Sequence, residues 1–243
     1  MRGMLVLVAL GLGLAACGGS RAAGGQAAAP GTLVASTSAP PAARRAGPPP
    51  ALAALEASAE AVGEAAGTGV WGRAGEQLRQ ARAAWARLRP EVLARGAAQT
   101  PVIVIDGALD RLGADLARRA DLAAAVDANA VTLALADLAD LYPGPVPSDA
   151  LRLDGRLREV QLAGRSGRWP HAASALAQAE IVWMRLRLTV IARPGPTPRE
   201  AAGDLDDAMG ATRGAVLRAD AADLQTATAR ALDLVDRVEA LFR

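Results

Sequence analysis

Paired carboxylates are the most frequent side chains in this sequence that could carry chemistry. Three aspartate pairs have a spacing of three or four residues, which places both members on one face of a helix. They are Asp106 with Asp110, Asp137 with Asp140, and Asp233 with Asp236. Such a pair can bind a hard cation or divide acid and base roles. The chain has 25 acids interleaved with arginines, so these pairs arise freely on solvated faces, and we interpret them as surface charge.

The single histidine, His171, and the single cysteine, Cys17, leave little scope for nucleophilic or metal chemistry. A serine or cysteine nucleophile needs a base beside it, usually a histidine, and a zinc site needs several nitrogen or sulfur ligands. Nothing in the spacing supports haem ligation by His171 with Met184 or Met209. The sequence therefore predicts a protein that is not an enzyme, with no catalytic residue, no bound metal and no cofactor.

Tryptophans with nearby arginines form the one aromatic pattern that could serve binding. In two places an arginine follows a tryptophan by four residues, a spacing at which the guanidinium can lie over the indole. The candidate ligand-facing residues are Trp71, Trp85, Arg89, Trp169, Trp183 and Arg187. They could line a groove for a hydrophobic or cationic ligand. Core packing, with the arginine stem along the ring edge, is the favoured interpretation, because the tryptophans alternate with small residues as interlocking helices require.

These tryptophans belong to a stretch that occurs twice, at residues 71–92 and 169–190. The first copy has the seam Trp71, Ala74, Leu78, Ala81, Trp85, Leu88 and Val92; the second has Trp169, Ala172, Leu176, Ala179, Trp183, Leu186 and Val190. Positions alternately three and four apart fall on one stripe of a helix, so each stretch predicts a helix that packs along this seam. The copies are 98 residues apart, and further along we pair Leu112-Gly113 with Met209-Gly210.

The repeat predicts an all-α fold made of two tandem four-helix units, residues 51–145 and 146–243. The expected helices are 51–66, 71–95, 101–119 and 121–142, followed by 148–164, 169–193, 198–217 and 220–242. The β-branched run at 102–105 could form a strand, but its counterpart at 199–202 is plainly helical. Separate bundles and one continuous helical array both fit, and the heptad seam favours bundles.

Residues near the helix ends give more local predictions. Thr100 and Thr197, each followed by proline, are predicted N-caps, and Asp121 and Asp220 are predicted to cap the last helix of each unit. Pro90 should kink or shorten the long helix that contains it.

The start of the chain has the features of an export signal. Residues 1–16 contain one early arginine and an apolar run too short to span a bilayer. The sequence Leu14-Ala15-Ala16-Cys17 that follows resembles the lipobox of bacterial lipoproteins. The resemblance implies cleavage before Cys17 and attachment of acyl chains to it; an ordinary signal peptide cut nearby is the alternative. Residues 17–50 are rich in Ala, Gly, Ser and Pro and predict a disordered tether.

Charge narrows the range of partners. Four of the 27 arginines precede residue 51, so 23 remain in the folded part beside 25 acids, and nucleic acid is not an expected partner. We expect a lipoprotein of the cell envelope, in the outer membrane if the cell has two membranes. Its helices would act as a non-enzymatic binding or scaffold module for another envelope protein. The alternative is a bundle that binds a small molecule or metal, in the periplasm or at the cell surface.

Overall fold

In the computed structural model, which describes residues 48–243, the chain forms eight α-helices and no strand within that range. They are α1 (Pro50–Gly67), α2 (Trp71–Ala94), α3 (Gln99–Arg118), α4 (Asp121–Ala139), α5 (Ser148–Arg165), α6 (Trp169–Ile191), α7 (Thr197–Arg218) and α8 (Ala221–Ala240). The all-α prediction is confirmed, with helix ends within a few residues of those expected. The signal peptide at 1–16, Cys17 and most of the tether lie outside the described residues.

Each set of four helices encloses its own hydrophobic core. In the first bundle, α1 to α4, each helix packs against the next and α4 returns to α1; the second bundle, α5 to α8, repeats this ring. Large side chains without solvent exposure lie at the centres, among them Leu55, Leu88 and Ile105 in the first bundle and Leu157 and Leu205 in the second. Burying one such side chain contributes about 1.5–3 kcal/mol, so the two seams stabilise both bundles.

Helix α4 joins the bundles, because it packs against α1 and α3 within its own bundle and against α5 of the other. Contact on several sides explains why α4 is apolar on most of its surface. Among the described residues it is the one helix long and apolar enough to cross a membrane, with a mean hydropathy of 1.5; 56% of that window is buried within the protein.

The helix ends confirm one of the four predicted N-caps and correct the other three. The Asp220 carboxylate accepts hydrogen bonds from the backbone N–H groups of Ala222 and Asp223, both at 3.0 Å, as predicted for an N-cap. Asp121 does not cap, because α4 begins at this residue and Ala120 holds the cap position. Thr100 and Thr197 do not cap either, since α3 and α7 begin before or at the threonine and its side chain is already inside the helix.

The β-branched run and Pro90 are both accommodated inside helices. Residues 102–105 belong to α3, where Val102 and Ile105 are buried and Ile103 and Val104 face outward. Helix α2 continues past Pro90 to Ala94 and is 24 residues long, against 23 for α6, so the proline does not shorten it. The helix predicted at residues 102–105 is confirmed, and the shortening expected at Pro90 was wrong, because the helix period of the buried residues outweighs local propensity.

The third helices of the two bundles align differently from the sequence pairing above. Arg119 and Ala219, each the left-handed residue that ends its helix, lie 100 residues apart, and the buried Leu112 corresponds to Thr212, not Met209. The offset grows from 98 to 100 because α7 has 22 residues and α3 has 20. The predicted pairing of Leu112-Gly113 with Met209-Gly210 was wrong. It matched a two-residue motif but not the pattern of buried residues along the two helices.

Candidate functional site

Trp85 lies in the first core with 5% of its surface exposed, as the packing interpretation expected. Its indole N–H donates to Asp106 Oδ1 on α3 at 2.6 Å, and Arg89 Nε donates to the other oxygen of the same carboxylate at 3.2 Å. The aspartate therefore holds both partners from the neighbouring helix. Arg89 does not stack on the indole; one carboxylate ties α2 to α3 at the edge of the core.

The second bundle contains the same cluster. Trp183, with 4% exposed, donates from its indole to Asp206 Oδ1 at 2.7 Å. Arg187 donates to Asp206 Oδ2 at 2.9 Å. Sequence reasoning missed Asp206 because the pairing of Leu112 with Met209 implies an offset of 97 residues, which places Gly203 opposite Asp106. The offset of 100 that the structure shows pairs Asp106 with Asp206.

Trp71 and Trp169, the other two candidate ligand-facing tryptophans, are half-buried and pack against the edges of the first and second cores. A second repeated contact lies at the opposite end of each seam. The Arg95 guanidinium lies 4.4 Å from the centre of the Tyr142 ring, and Arg193 lies 4.7 Å from that of Phe242. All of these contacts recur in both bundles, as expected of groups that hold helices together.

The junction between the bundles carries the most unusual electrostatics in the described part. Arg158 of α5 donates to Asp154 at 2.7 Å and to Glu60 of α1 at 3.0 Å, which links the two bundles. Burial, followed by repulsion from Glu60 and Glu239, raises the pKa of Glu56 from 4.5 to about 7. Burial also raises the pKa values of Glu60, Asp154 and Glu239. More carboxylates meet here than the arginines can neutralise.

A groove of about 350 Å³ opens beside this cluster, between α1, α4 and α5. Its apolar walls contain small residues, including Ala59, Gly63 and Ala128, and its polar groups include Glu64, Gln161, Arg165 and the Arg158 pair. Asn129 also lines the groove; its Nδ2 donates to the Gly155 carbonyl at 2.9 Å, while its buried Oδ1 has no protein partner. Sequence patterns did not indicate this groove, because its walls come from three helices, and α1 is far from α4 and α5 in the chain.

A larger cleft, of about 540 Å³, lies against the segment that connects the bundles. Arg152 reaches Asp137, Asp140 and Asp149 at distances of 2.6–3.1 Å, and Arg185 binds Asp149 at 2.9 Å. The predicted pair Asp137 and Asp140 therefore meets around an arginine. With both arginines paired to carboxylates, this cleft serves mainly to position α5 against the end of α4.

The remaining predicted chemical groups lie apart from one another. His171 is exposed, and its Nε2 lies 3.0 Å from Glu159 Oε1. Asp110, Asp233 and Asp236 are exposed. Across residues 48–243 no group of three or more His, Cys, Asp or Glu side chains has a geometry that could hold a metal ion.

Three of the eight large apolar side chains that are exposed in residues 48–243 lie on the outer face of α6. Ile181, Met184 and Leu188 lie one turn apart on the side opposite the Trp183 seam, with 44%, 61% and 66% of their surfaces exposed. Leu217 of α7 is 80% exposed. The large apolar residues that the first bundle exposes belong to three different segments: Val70 before α2, Leu93 in α2, and Ile103 and Val104 in α3.

Leu217 extends this apolar surface. Arg187 contacts Asp206 and Glu180 contacts Arg213, so α6 and α7 run antiparallel. Leu217 follows Arg213 by one turn and lies beside the turn of α6 that holds Ala177. We name Ala177, Ile181, Met184, Leu188 and Leu217 the α6 face.

No protein-family model matches the chain, nor does any curated protein or solved structure.

Proposed function

We propose that this protein is an exported lipoprotein, anchored through Cys17, whose helical part is a non-enzymatic module that binds another envelope protein through the α6 face. The anchor rests on the apolar run and on the lipobox resemblance at residues 14–17. The composition of the segment after Cys17, rich in Ala, Gly and Pro, is typical of a tether between membrane and module.

The observation that carries the docking role is a difference between the two bundles. The positions in the first bundle that correspond to Ile181, Met184, Leu188 and Leu217 are Ala83, Ala86, Pro90 and Ala117, all exposed. Both sets face outward, so packing within a bundle does not require large apolar side chains at these positions in either copy. Only the second bundle carries large apolar side chains there, and a contiguous exposed apolar surface is typical of a protein interface.

The anchor is tested by replacing Cys17 with serine in the native host. The variant should lose acyl labelling and leave the membrane fraction, either as soluble protein or as an uncut precursor, because the thiol is the attachment site. Labelling at the wild-type level would contradict the anchor.

The docking face is tested with a photo-crosslinking amino acid at position 184 of the full chain in intact cells. We expect one discrete adduct, identified by mass spectrometry as an envelope protein, that disappears when Leu188→Glu is added. Position 86, the exposed counterpart in the first bundle, is the matched control and should give none. Equal adducts from both positions, or none from position 184, would refute the docking face.

The groove between α1, α4 and α5 supports a second candidate function, which is to bind a small molecule. Its polar lining carries both charge signs, Glu64 and Arg165 among them, and Asn129 Oδ1 is an unpaired acceptor at its wall. These groups suit a small zwitterionic compound. Native mass spectrometry of protein purified gently from its host would reveal such a ligand as added mass, and Gly63→Leu, which fills the groove, should abolish it.

A further inference from the structure

We infer that the partner of the α6 face is a second copy of this chain, paired through α6 in the antiparallel direction. This inference rests on the proposed docking function and names the envelope protein that is bound. Three observations support it: the spacing of the apolar residues, the placement of the charges beside them, and the position of Leu217.

The apolar residues of α6 form a second heptad seam. Ala177, Ile181, Met184, Leu188 and Ile191 are spaced four, three, four and three residues apart. This is the spacing with which one helix packs along another whose axis is nearly aligned with it, either parallel or antiparallel. The first seam of α6, which includes Trp183 and Leu186, already faces the core of its own bundle. In the second seam, Ala177, Ile181, Met184 and Leu188 are exposed on the side away from that core, while Ile191 is half-buried against it. The exposed part of the seam is available to a helix from another molecule.

An antiparallel pair with Met184 at its two-fold axis matches the sizes of these side chains. It sets Met184 against its copy, Ile181 against Leu188 of the other copy, and the small Ala177 against Ile191. A two-fold pairing repeats every contact, so the same surface serves both molecules.

The charges beside the seam agree with this register. Glu180 and Arg187 lie on the α7 side of the α6 face, where they contact Arg213 and Asp206 respectively. In an antiparallel pair the α7 sides of the two copies meet, and Glu180 of each copy comes next to Arg187 of the other. Two attractive contacts of this kind set direction and register more than they add affinity.

Leu217 decides against a parallel pair. It lies beside the turn of Ala177, on the α7 side, and the antiparallel register brings Ile191 of the other copy to this turn. A parallel pair would place the α7 side of one copy against the α5 side of the other. Leu217 would then face the α5 side of the Ala177 turn in the other copy, where the exposed side chain is the polar Gln178, and it would meet no large apolar residue of α6.

The extent of the face indicates a modest affinity. Four large side chains with these exposures, with the alanines between them, would bury roughly 1,000 Å² in total over both copies, at the low end for specific interfaces. Anchoring both copies to one membrane raises their effective concentration, so the pair should form there more completely than in dilute solution.

Disulfide crosslinking in the anchored full chain tests the inference. Met184→Cys places a thiol at the two-fold axis, where two copies can bring their Cβ atoms within the roughly 4 Å that a disulfide requires. Mild oxidation of cells should convert most of the variant to a covalent dimer, and Leu188→Glu added to it should reduce the dimer at least tenfold. Ala86→Cys, at the exposed counterpart in the first bundle, should remain a monomer.

The direction of the pair is tested with two further variants. When Ala177→Cys and Ile191→Cys are co-expressed as distinguishable tagged chains, the antiparallel register predicts crosslinks between the two variants and few within either. Crosslinks of each variant only to itself would overturn the antiparallel arrangement.

The outcomes separate this inference from the proposed function. A Met184→Cys adduct with a different protein would overturn the second copy as partner and leave the docking face intact. If the variant is folded, as its helical circular dichroism would show, and gives no disulfide dimer, the second copy as partner is overturned. The docking face is overturned only if the photo-crosslinker at position 184, which needs no cysteine in the partner, also gives no adduct.

Discussion

At the scale of single residues, one aspartate in each bundle fixes a tryptophan that the core needs. A buried indole must place its N–H on an acceptor, and Asp106 and Asp206 supply one from the neighbouring helix while also binding an arginine. The arginines leave 40–47% of their side-chain surface exposed, so the ion pairs themselves add little. The indole hydrogen bond is the part of the cluster that stability depends on.

We therefore expect Asp106→Ala to lower the free energy of unfolding by about 1 to 2 kcal/mol, because it leaves the Trp85 N–H without an acceptor. Trp85→Ala should cost more, about 3 to 5 kcal/mol, through the cavity that it creates. Urea denaturation followed by circular dichroism would measure both. Asp110→Ala, at an exposed position on the same helix, is the control and should stay within about 0.5 kcal/mol of wild type. An Asp106→Ala variant as stable as this control would show that the indole bond contributes nothing.

At the scale of helices, α4 and α8 begin differently although they occupy equivalent places. Asp220 caps α8 with two hydrogen bonds, and the equivalent residue before α4 is Ala120, whose methyl group can accept none. The first N–H groups of α4 are left to other acceptors or to water. Packing on both bundles holds α4 in place without the cap.

Asp220→Ala should lower the free energy of unfolding by about 1 kcal/mol, the usual loss for an N-cap. Ala120→Asp should raise it by up to about 1 kcal/mol, because the new carboxylate can accept from the first turn of α4 and also favours the positive end of the helix dipole. Thermal unfolding of both variants and of wild type under identical conditions would measure the two changes in stability. A stabilising Asp220→Ala or a destabilising Ala120→Asp would contradict the equivalence of the two positions.

At the scale of the whole molecule, the junction between the bundles should make stability depend on pH. The folded protein holds the Glu56 proton more tightly than the unfolded chain, since its pKa is raised to about 7 from 4.5. Between these two values the folded state binds more protons, so stability is greatest below about pH 4.5 with respect to this group and decreases as the pH rises toward 7. The raised pKa values of Glu60, Asp154 and Glu239 act in the same direction.

Glu56→Gln should remove the largest part of this dependence. We expect the variant to gain about 1 to 3 kcal/mol in unfolding free energy at pH 8 relative to wild type, and to show little gain at pH 4.5. Urea denaturation at a series of pH values would show the two curves converging in acid. Glu64→Gln, at an exposed carboxylate two turns along α1, is the matched control and should follow wild type. A Glu56→Gln curve parallel to wild type would refute the role of this residue.

Much of the fold was predictable because its signals are local. The alternation of three and four residues in the Trp71 and Trp169 stretches depends only on helix geometry, and it identified the seam residues that are buried in both cores. Five of the seven breaks between helices contain Gly or Pro, while α3 and α7 end at the left-handed Arg119 and Ala219, which have no such signal. The one confirmed cap, Asp220, follows from its side chain. The repeat added evidence that no single copy contains. It favoured helix over strand at residues 102–105, which is correct, although the buried faces show that their counterpart is 202–205 and not 199–202.

What the sequence could not determine is which faces meet. Asp206 pairs with Trp183, and Arg158 joins Glu60 to Asp154, only because separate helices pack in one register. Helices α4 and α6 show the same limit. Both have apolar residues beyond a single seam, yet the second bundle covers the outer side of α4, while no described part of the chain covers that of α6. The sequence alone determined that the chain is helical and duplicated, because periodicity belongs to each helix. The tertiary structure decided which apolar face is core and which is surface, because exposure depends on the neighbours that packing provides.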